Sequence, residues 1–223
     1  MLLVETLRRI GYSIIELLLT PLQYGIPNSR LRYYLLARRG DDHFPMDDRV
    51  WRHIPGKPEN PSVKVSPLKD FLDSSATESA VPDKILAKWG RLFDIVKPSS
   101  TRSCCFTRGY HHLVERAGSI LQEEEDLDVS LPLFLIIRRS SVPQTTKVFN
   151  EFLAAQAGGN SDALDILRPL RLRYFTPTEL LRIFAFDEAS FIWPVTISTK
   201  TKYRLIGNSV NVRVVRELIT YLL

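Results

Sequence analysis

The chain has 223 residues, 44% of them hydrophobic and 25% charged, with a formal net charge of +5 and a pI near 9.3. That length and balance fit one large globular domain or two modest ones, and exclude a disordered or low-complexity chain. No stretch approaches the ~18 consecutive apolar residues of a membrane span, and the basic excess, scattered along the chain, points only weakly to an anionic partner.

Leu3, Leu7 and Ile10 recur at i, i+4 and i+7, which predicts an amphipathic helix stopped by Gly11. Glu5, Arg8 and Arg9 interrupt this apolar run, so it does not read as a signal peptide. Tyr12 to Leu19 reads as a strand. Thr20 to Asn28 holds Pro21, Gly25 and Pro27 and reads as a loop, followed by a second strand from Leu31 to Ala37. The first helix has no cap and reads as the middle of an α/β fold. From Arg38 to about Pro82 the chain is polar and proline-rich, with an acidic cluster at Asp41, Asp42, Asp47 and Asp48, and an irregular segment is expected.

Ile85, Leu86, Trp89, Leu92 and Phe93 predict a helix over Lys84 to Val96, ended by Pro98. Thr101 to Tyr110 reads as a loop or short strand, and Glu123-Glu124-Glu125-Asp126 as a solvated acidic run. Leu131 to Ile137 is a candidate strand, restricted by Pro132 to an edge or to its start. Thr145 to Ala157 reads as a helix ended by Gly158-Gly159-Asn160. Thr176-Pro177-Thr178-Glu179 is a capping box with proline at the first helical position, and Leu180, Ile183 and Phe184 supply the apolar face of the helix that follows. Asp187 to Pro194 is a loop and Lys200 to Ile206 a short helix. Val210, Val214, Leu218 and Leu222 mark a final amphipathic helix. The only cysteines, Cys104 and Cys105, are adjacent, a geometry that disfavours a mutual disulfide, and no metal-ligand spacing surrounds them. A reducing compartment, cytoplasmic or nuclear, is expected.

Three short stretches carry chemical information. In Gly25-Ile26-Pro27-Asn28-Ser29-Arg30-Leu31-Arg32 a bend presents two arginines two residues apart, so both forks can face one ligand, a phosphate or a carbonyl oxygen. A surface pair supporting a loop explains the same residues. Arg173 stands before the capping box and is placed to reach an acidic or anionic neighbour. Gly207-Asn208-Ser209 sits where the last helix is expected to begin, and a helix N-terminus favours anionic or polar ligands. Asn and Ser are also ordinary caps.

In order, Gly25-x-Pro27-Asn28-Ser29-Arg30-x-Arg32, Arg173-x-x-Thr176-Pro177-x-Glu179 and Gly207-Asn208-Ser209-Val210 resemble the last three signature motifs of the cytosine-5 methyltransferase family. The long variable segment between the first two corresponds to that family's target recognition domain. Within it, Cys105-Phe106-Thr107-x-Gly109-Tyr110 followed by Gly118-Ser119 is similar to the Cys-Phe-Thr signature of the branch that acts on aspartate tRNA. Leu113 and Arg116-Ala117-Gly118 depart from that branch, where a second tyrosine and a Gly-Thr-Gly are usual.

The resemblance implies an α/β chain: the C-terminal part of a class I S-adenosylmethionine-dependent methyltransferase fold with an inserted mixed recognition domain. Residues 1–39 would be the trailing part of the catalytic domain, 40–170 the recognition domain and 171–223 the return to the catalytic domain. The implied reaction is methyl transfer to C5 of a cytosine in a tRNA anticodon loop, after the base is flipped from its stack. Arg32 would hold the base near O2, and Arg30 would support Arg32 or take a phosphate. Asn208 and Ser209 would close the S-adenosylmethionine pocket. Cys105, Phe106, Thr107, Arg108, Tyr110 and Arg173 would contact RNA.

The family's nucleophile lies in a Pro-Cys motif and its ring-binding glutamate in Glu-Asn-Val. Neither motif occurs here, nor does the cofactor's glycine-rich loop. The chain is therefore expected to begin just past Glu-Asn-Val, to be inactive alone, and to expose the sheet that a missing catalytic half would cover. A noncatalytic RNA-binding module, a subunit of a split enzyme and a DNA-directed enzyme remain as alternatives.

Overall fold

The computed structural model describes residues 2–40, 43–45, 49–57, 63–74, 79–111, 117–124 and 147–223. The expected strand over Leu131 to Ile137 and the acidic cluster at Asp41, Asp42, Asp47 and Asp48 lie outside these residues. So do Leu113, Arg116, and the Glu125-Asp126 end of the acidic run.

Helix α1 (Leu2–Arg9) leads through Gly11, whose φ of +87° suits glycine, into β1 (Tyr12–Leu19). None of the α1 side chains is buried. Strand β2 (Arg32–Arg39) runs antiparallel to β1, with Leu19 opposite Arg32 and Tyr12 opposite Arg39. The short β3 (Val50–Trp51) pairs parallel on the other side, so the order is β2-β1-β3. Period-two patterning sends Ile15, Leu17 and Leu19 to one face, where they pack with Phe44, Ile54 and the Val214 and Leu218 stripe of α6 (Val212–Leu222). One core thus joins the two ends of the described chain.

A second, larger core lies between them. Helix α2 (Asp83–Trp89) is followed by a tight turn over Gly90–Leu92 and then by β4 (Ile95–Val96). Strand β5 (Ile120–Gln122) pairs parallel with β4, and β6 (Leu172–Arg173) pairs antiparallel with β5. The expected helix to Val96 is therefore cut short at Trp89. Gly90 lies against Phe149 of α3 (Lys147–Ala157), where a Cβ would sit 2.6 Å from Phe149 Cε1. The β-branched Ile95-Val96 pair joins the sheet instead. Helices α4 (Pro177–Ile183) and α5 (Thr199–Asn208) complete this core through Leu180, Ile183, Tyr203 and Ile206.

The chain re-enters α4 through a buried ion pair. Glu179 is wholly buried and Arg173 almost so. Arg173 Nη1 and Nη2 donate to the two carboxylate oxygens of Glu179, each at 2.8 Å. The same oxygens accept from the backbone N–H of Thr176 and of Asp73, so every lone pair that matters is met. Thr176 completes the capping box by accepting from Glu179 N at 3.1 Å. Its hydroxyl also donates to Asp73 Oδ2 at 2.8 Å.

Arg173→Ala would strand the Glu179 carboxylate in the core. It is expected to cost about 3–5 kcal/mol, against about 1 kcal/mol for Thr176→Ala. Urea unfolding of the two variants measures the ratio.

Candidate functional site

The arginine turn is held from both sides. Gly25 takes φ +80°, and Pro27 to Ser29 are zipped to Ser103-Cys104. Ser29 N donates to Ser103 O at 2.8 Å, Ser103 Oγ donates to Pro27 O at 2.6 Å, and Asn28 Nδ2 donates to Cys104 O at 2.9 Å. The turn delivers Arg30 into the interior, with 4% of its surface exposed.

There the guanidinium closes three segments on itself. Nη1 donates to Phe106 O at 2.7 Å and to Cys105 Sγ at 3.3 Å. Nη2 donates to Gly207 O at 3.0 Å and to Ser209 O at 2.7 Å. The Phe184 ring lies 5.0 Å from the guanidinium carbon. Burial lowers the Arg30 pKa, the neighbouring Cys105 thiol opposes that shift, and Arg32 adds to it. With its fork committed to protein acceptors, Arg30 is not placed to take a phosphate. It acts as a strut for Arg32. Arg32 opens β2, is only half-buried, and sends Nη2 to the same Cys105 Sγ at 3.3 Å. The two forks do converge, and the atom between them is sulfur.

The Cys105-Phe106-Thr107 loop divides by depth. Phe106 and Tyr110, expected as substrate contacts, are buried beneath the loop. Tyr110 OH donates to Ser119 O at 2.7 Å and accepts from Phe175 N at 2.9 Å. Its ring meets Phe106, Tyr174 and Tyr203 edge-on, with centroids 5.0 to 5.6 Å apart. Gly118, at φ +154°, allows this packing, since a Cβ would lie 2.3 Å from Tyr110 Cδ2. Thr107 and Cys105 are half-buried and Arg108 is exposed. Cys104 turns inward, its N–H donating to Ser119 Oγ. Burial pushes its thiol up from 9.0 to about 12.

Gly207 is the closest approach in the site. A Cβ there would stand 2.2 Å from the Thr107 carbonyl carbon and from Arg108 N. The Gly207-Asn208-Ser209 stretch does not start the last helix, as its sequence suggested. It ends α5, and Ser209 is extended (φ −79°, ψ 174°). The cap of α6 is Asn211, whose Oδ1 accepts from Arg213 N and Val214 N while its Nδ2 donates to Ile183 O at 3.0 Å. No helix N-terminus therefore faces a ligand at Asn208 or Ser209. Ser209 donates its hydroxyl and its N–H to Ile206 O, and Asn208 is exposed. These two residues offer a small-molecule cofactor one amide, which is a wall rather than a cradle. Arg173 is spent on Glu179, on Glu123 at 2.6 Å and on Tyr174 O at 3.0 Å. Burial alone would lower its pKa, but the two carboxylates outweigh that and raise it. No group of His, Cys, Asp and Glu side chains fit for a metal occurs among the described residues. Sequence reasoning missed Ser103, whose small buried hydroxyl gave no signal, and the Tyr203 support beneath the loop.

Arg30, Arg32, Cys105, Thr107, Arg108, Asn208 and Ser209 thus form one neighbourhood, with Arg32, Arg108 and Asn208 toward solvent. Residues 2–223 match the sequence model of the C-5 cytosine-specific DNA methylase family. The chain is 37% identical over 222 residues to a tRNA (cytosine(38)-C(5))-methyltransferase of Schizosaccharomyces pombe, a match covering 98% of this chain and 57% of that protein. It is 35% identical to the enzyme of the same name from Spodoptera frugiperda, covering 99% of this chain and 60% of that one. The crystal structure of a triple mutant of Spodoptera frugiperda DNMT2 superposes with a TM-score of 0.77 at 33% identity, over 99% of this chain and 61% of that one. The chain therefore spans about three fifths of the length of these relatives.

Gly207→Ala must push the loop off α5, and overpacking of this kind costs about 1–3 kcal/mol. Asn208→Ala, at an exposed position, is expected to stay within about 0.5 kcal/mol. Thermal unfolding of the two variants tests the contrast. The half-buried Cys104 thiol also sets a pH dependence. Folded, it stays protonated up to about 12, whereas it ionises from 9.0 when unfolded. Stability is thus undiminished below pH 9 and falls as pH rises toward 12. Tyr24, pushed from 10.0 to about 12 by burial, adds to the fall above pH 10. In Cys104→Ser the decline between pH 9 and 10 should vanish while the tyrosine part remains, as read by urea midpoints against pH.

Proposed function

The chain belongs to the C-5 cytosine-specific DNA methylase family, and from that premise we propose that its residues form the target-recognition and closing segments of a tRNA cytosine-5 methyltransferase. The substrate is a cytosine in the anticodon loop, aspartate tRNA being the first candidate, and the methyl donor is S-adenosylmethionine. The tRNA-directed names of the relatives support the substrate class. The Cys105-Phe106-Thr107 stretch supports the branch.

The observation that carries this reading is the junction at Arg30. It holds the Cys-Phe-Thr loop, the arginine turn and the Gly-Asn-Ser turn together, with Arg32 left to face outward. Arg32, braced by the sulfur of Cys105, would donate to O2 of the flipped cytosine. Arg108 would take a neighbouring phosphate, and Thr107 would line the entry. Asn208 would meet the edge of the cofactor pocket, with most of that pocket, the Pro-Cys nucleophile and the Glu-Asn-Val glutamate supplied by sequence outside these 223 residues. Residues 1–39 and 171–223 would belong to the catalytic body, with 40–170 inserted. The packing of α6 on β1 supports that division, as does the uncovered apolar face of α1, where Leu2 and Leu3 are 81% and 63% exposed.

The chain alone is expected to transfer no methyl group from labelled S-adenosylmethionine to tRNA. Turnover should appear when a segment carrying the Pro-Cys and Glu-Asn-Val motifs is joined to it or added. Single-chain turnover would overturn the proposed division of labour. In the active form, Arg32→Ala should lower kcat by about 100-fold or more, the scale of losing one donor aimed at a reacting group. A second reading, a noncatalytic RNA-binding subunit, draws on Arg108 and Arg204, which make no ion pair among the described residues. Salt-sensitive tRNA binding with no restoration of turnover would favour it, and preference for duplex DNA over tRNA would overturn both.

A further inference from the structure

Asp94 stands directly before β4, and the site as described so far gives its carboxylate no role. Its Oδ2 accepts from the Ser119 hydroxyl at 2.5 Å, and its Oδ1 accepts from Arg102 Nη2 at 3.2 Å. Ser119 is wholly buried, and its Oγ in turn accepts from Cys104 N at 2.8 Å. On the other side, Cys104 O accepts from Asn28 Nδ2 at 2.9 Å, and Asn28 belongs to the arginine turn. Both backbone groups of Cys104 are thus gripped, one residue before the sulfur that meets Arg32.

This relay has a direction. A carboxylate only accepts, so it turns the Ser119 O–H toward itself and leaves an oxygen lone pair facing the Cys104 N–H. The sheet does not need the carboxylate, because Ile120 N already donates to Asp94 O at 2.8 Å where β4 and β5 begin to pair. The Arg102 pair is exposed at its arginine end and contributes little. What the Asp94 side chain alone fixes is the position of the Cys104 peptide. Sulfur is a weak acceptor, so the 3.3 Å contact between Arg32 Nη2 and Cys105 Sγ holds only where the loop puts that sulfur. A misplacement of about 1 Å at a reacting site can cost about 100-fold in rate. We infer that Asp94 is a positioning residue for methyl transfer, acting on Arg32 through Ser119 and the Cys104–Cys105 peptide. This rests on the enzymatic reading given above and adds to it a carboxylate that touches neither substrate nor cofactor.

The test uses the active joined form and the chain by itself. In the joined form, Asp94→Ala and Ser119→Ala should each lower kcat by about 10- to 100-fold and leave KM for tRNA unchanged, the pattern of an interaction that counts only in the transition state. Asp94→Asn keeps an acceptor toward Ser119 and should restore most of the rate. The double variant of Asp94→Ala with Ser119→Ala should lose no more than either single one, because both break one relay. Arg102→Ala should behave as the unaltered protein. In the chain by itself, iodoacetamide should alkylate Cys105 faster in Asp94→Ala than in the unaltered chain, as followed by peptide mass spectrometry, with Asp94→Asn close to the unaltered rate. An unchanged kcat in Asp94→Ala, or an Asp94→Asn as slow as Asp94→Ala, would overturn the positioning role. So would an unchanged Cys105 alkylation rate, or a loss confined to KM, since binding would then be what failed. No turnover by the joined, unaltered protein would instead overturn the enzymatic reading, and this inference with it.

Discussion

The site depends on one cation buried among carbonyls. Arg30 has almost no access to water, so its charge must be met from within. The turn after α5, the Cys-Phe-Thr loop and the Cys105 sulfur answer it together. Three stretches separated by much of the chain are thereby fixed to one planar group. Because a guanidinium fork has set directions, their relative positions are fixed along with it. Arg32 inherits that order, since the sulfur that touches Arg30 also touches Arg32.

Close backbone contact does the rest. Gly207 lets α5 lie directly on the Thr107–Arg108 peptide, and Gly118 lets the returning chain pass under the Tyr110 and Phe106 rings. The four-ring set around Tyr110 then welds the loop to α5 and to the segment before α4. The Cys-Phe-Thr loop, α4 and α5 thus share one core, while β1, β2 and α6 share another. Arg173 and Glu179 serve the first core much as Arg30 serves the site, as buried charges met by protein partners.

Much of this was legible in the residues. The β1 strand, the Thr176–Glu179 capping box and the α5 helix follow from local periodicity and cap chemistry, which need no knowledge of the rest of the chain. The three motifs were found in order, and the first and third meet in space at Arg30. What local patterning could not show was depth. Arg30 and Arg32 look alike in sequence, yet one is a strut and the other faces outward, because only the first points at Gly207 and Ser209. Phe106 and Tyr110 read as recognition residues but are core, since burial depends on Tyr174 and Phe175 far along the chain. The helix ending at Trp89 and the tiny strands at Ile95, Ile120 and Leu172 were hidden for the same reason. Two- and three-residue strands carry no period of their own. The stop of α5 at Asn208 was misread as a start because Asn and Ser suit either end of a helix, and the true cap, Asn211, came three residues later.

The span bridged by Arg30 has a temporal side. Its link to Ser209 joins residues 179 apart in sequence, and closing so long a loop is slow compared with forming the local helices. During synthesis the arginine emerges well before two of its four acceptors. Until α5 has left the ribosome, the nascent chain holds a guanidinium that cannot be buried at full value, so it has reason to stay open at that point. Assembly of the site is thereby tied to translation past residue 209. A polypeptide broken off before residue 209 would carry the Cys105–Thr107 loop without the Ser209 carbonyl that closes it.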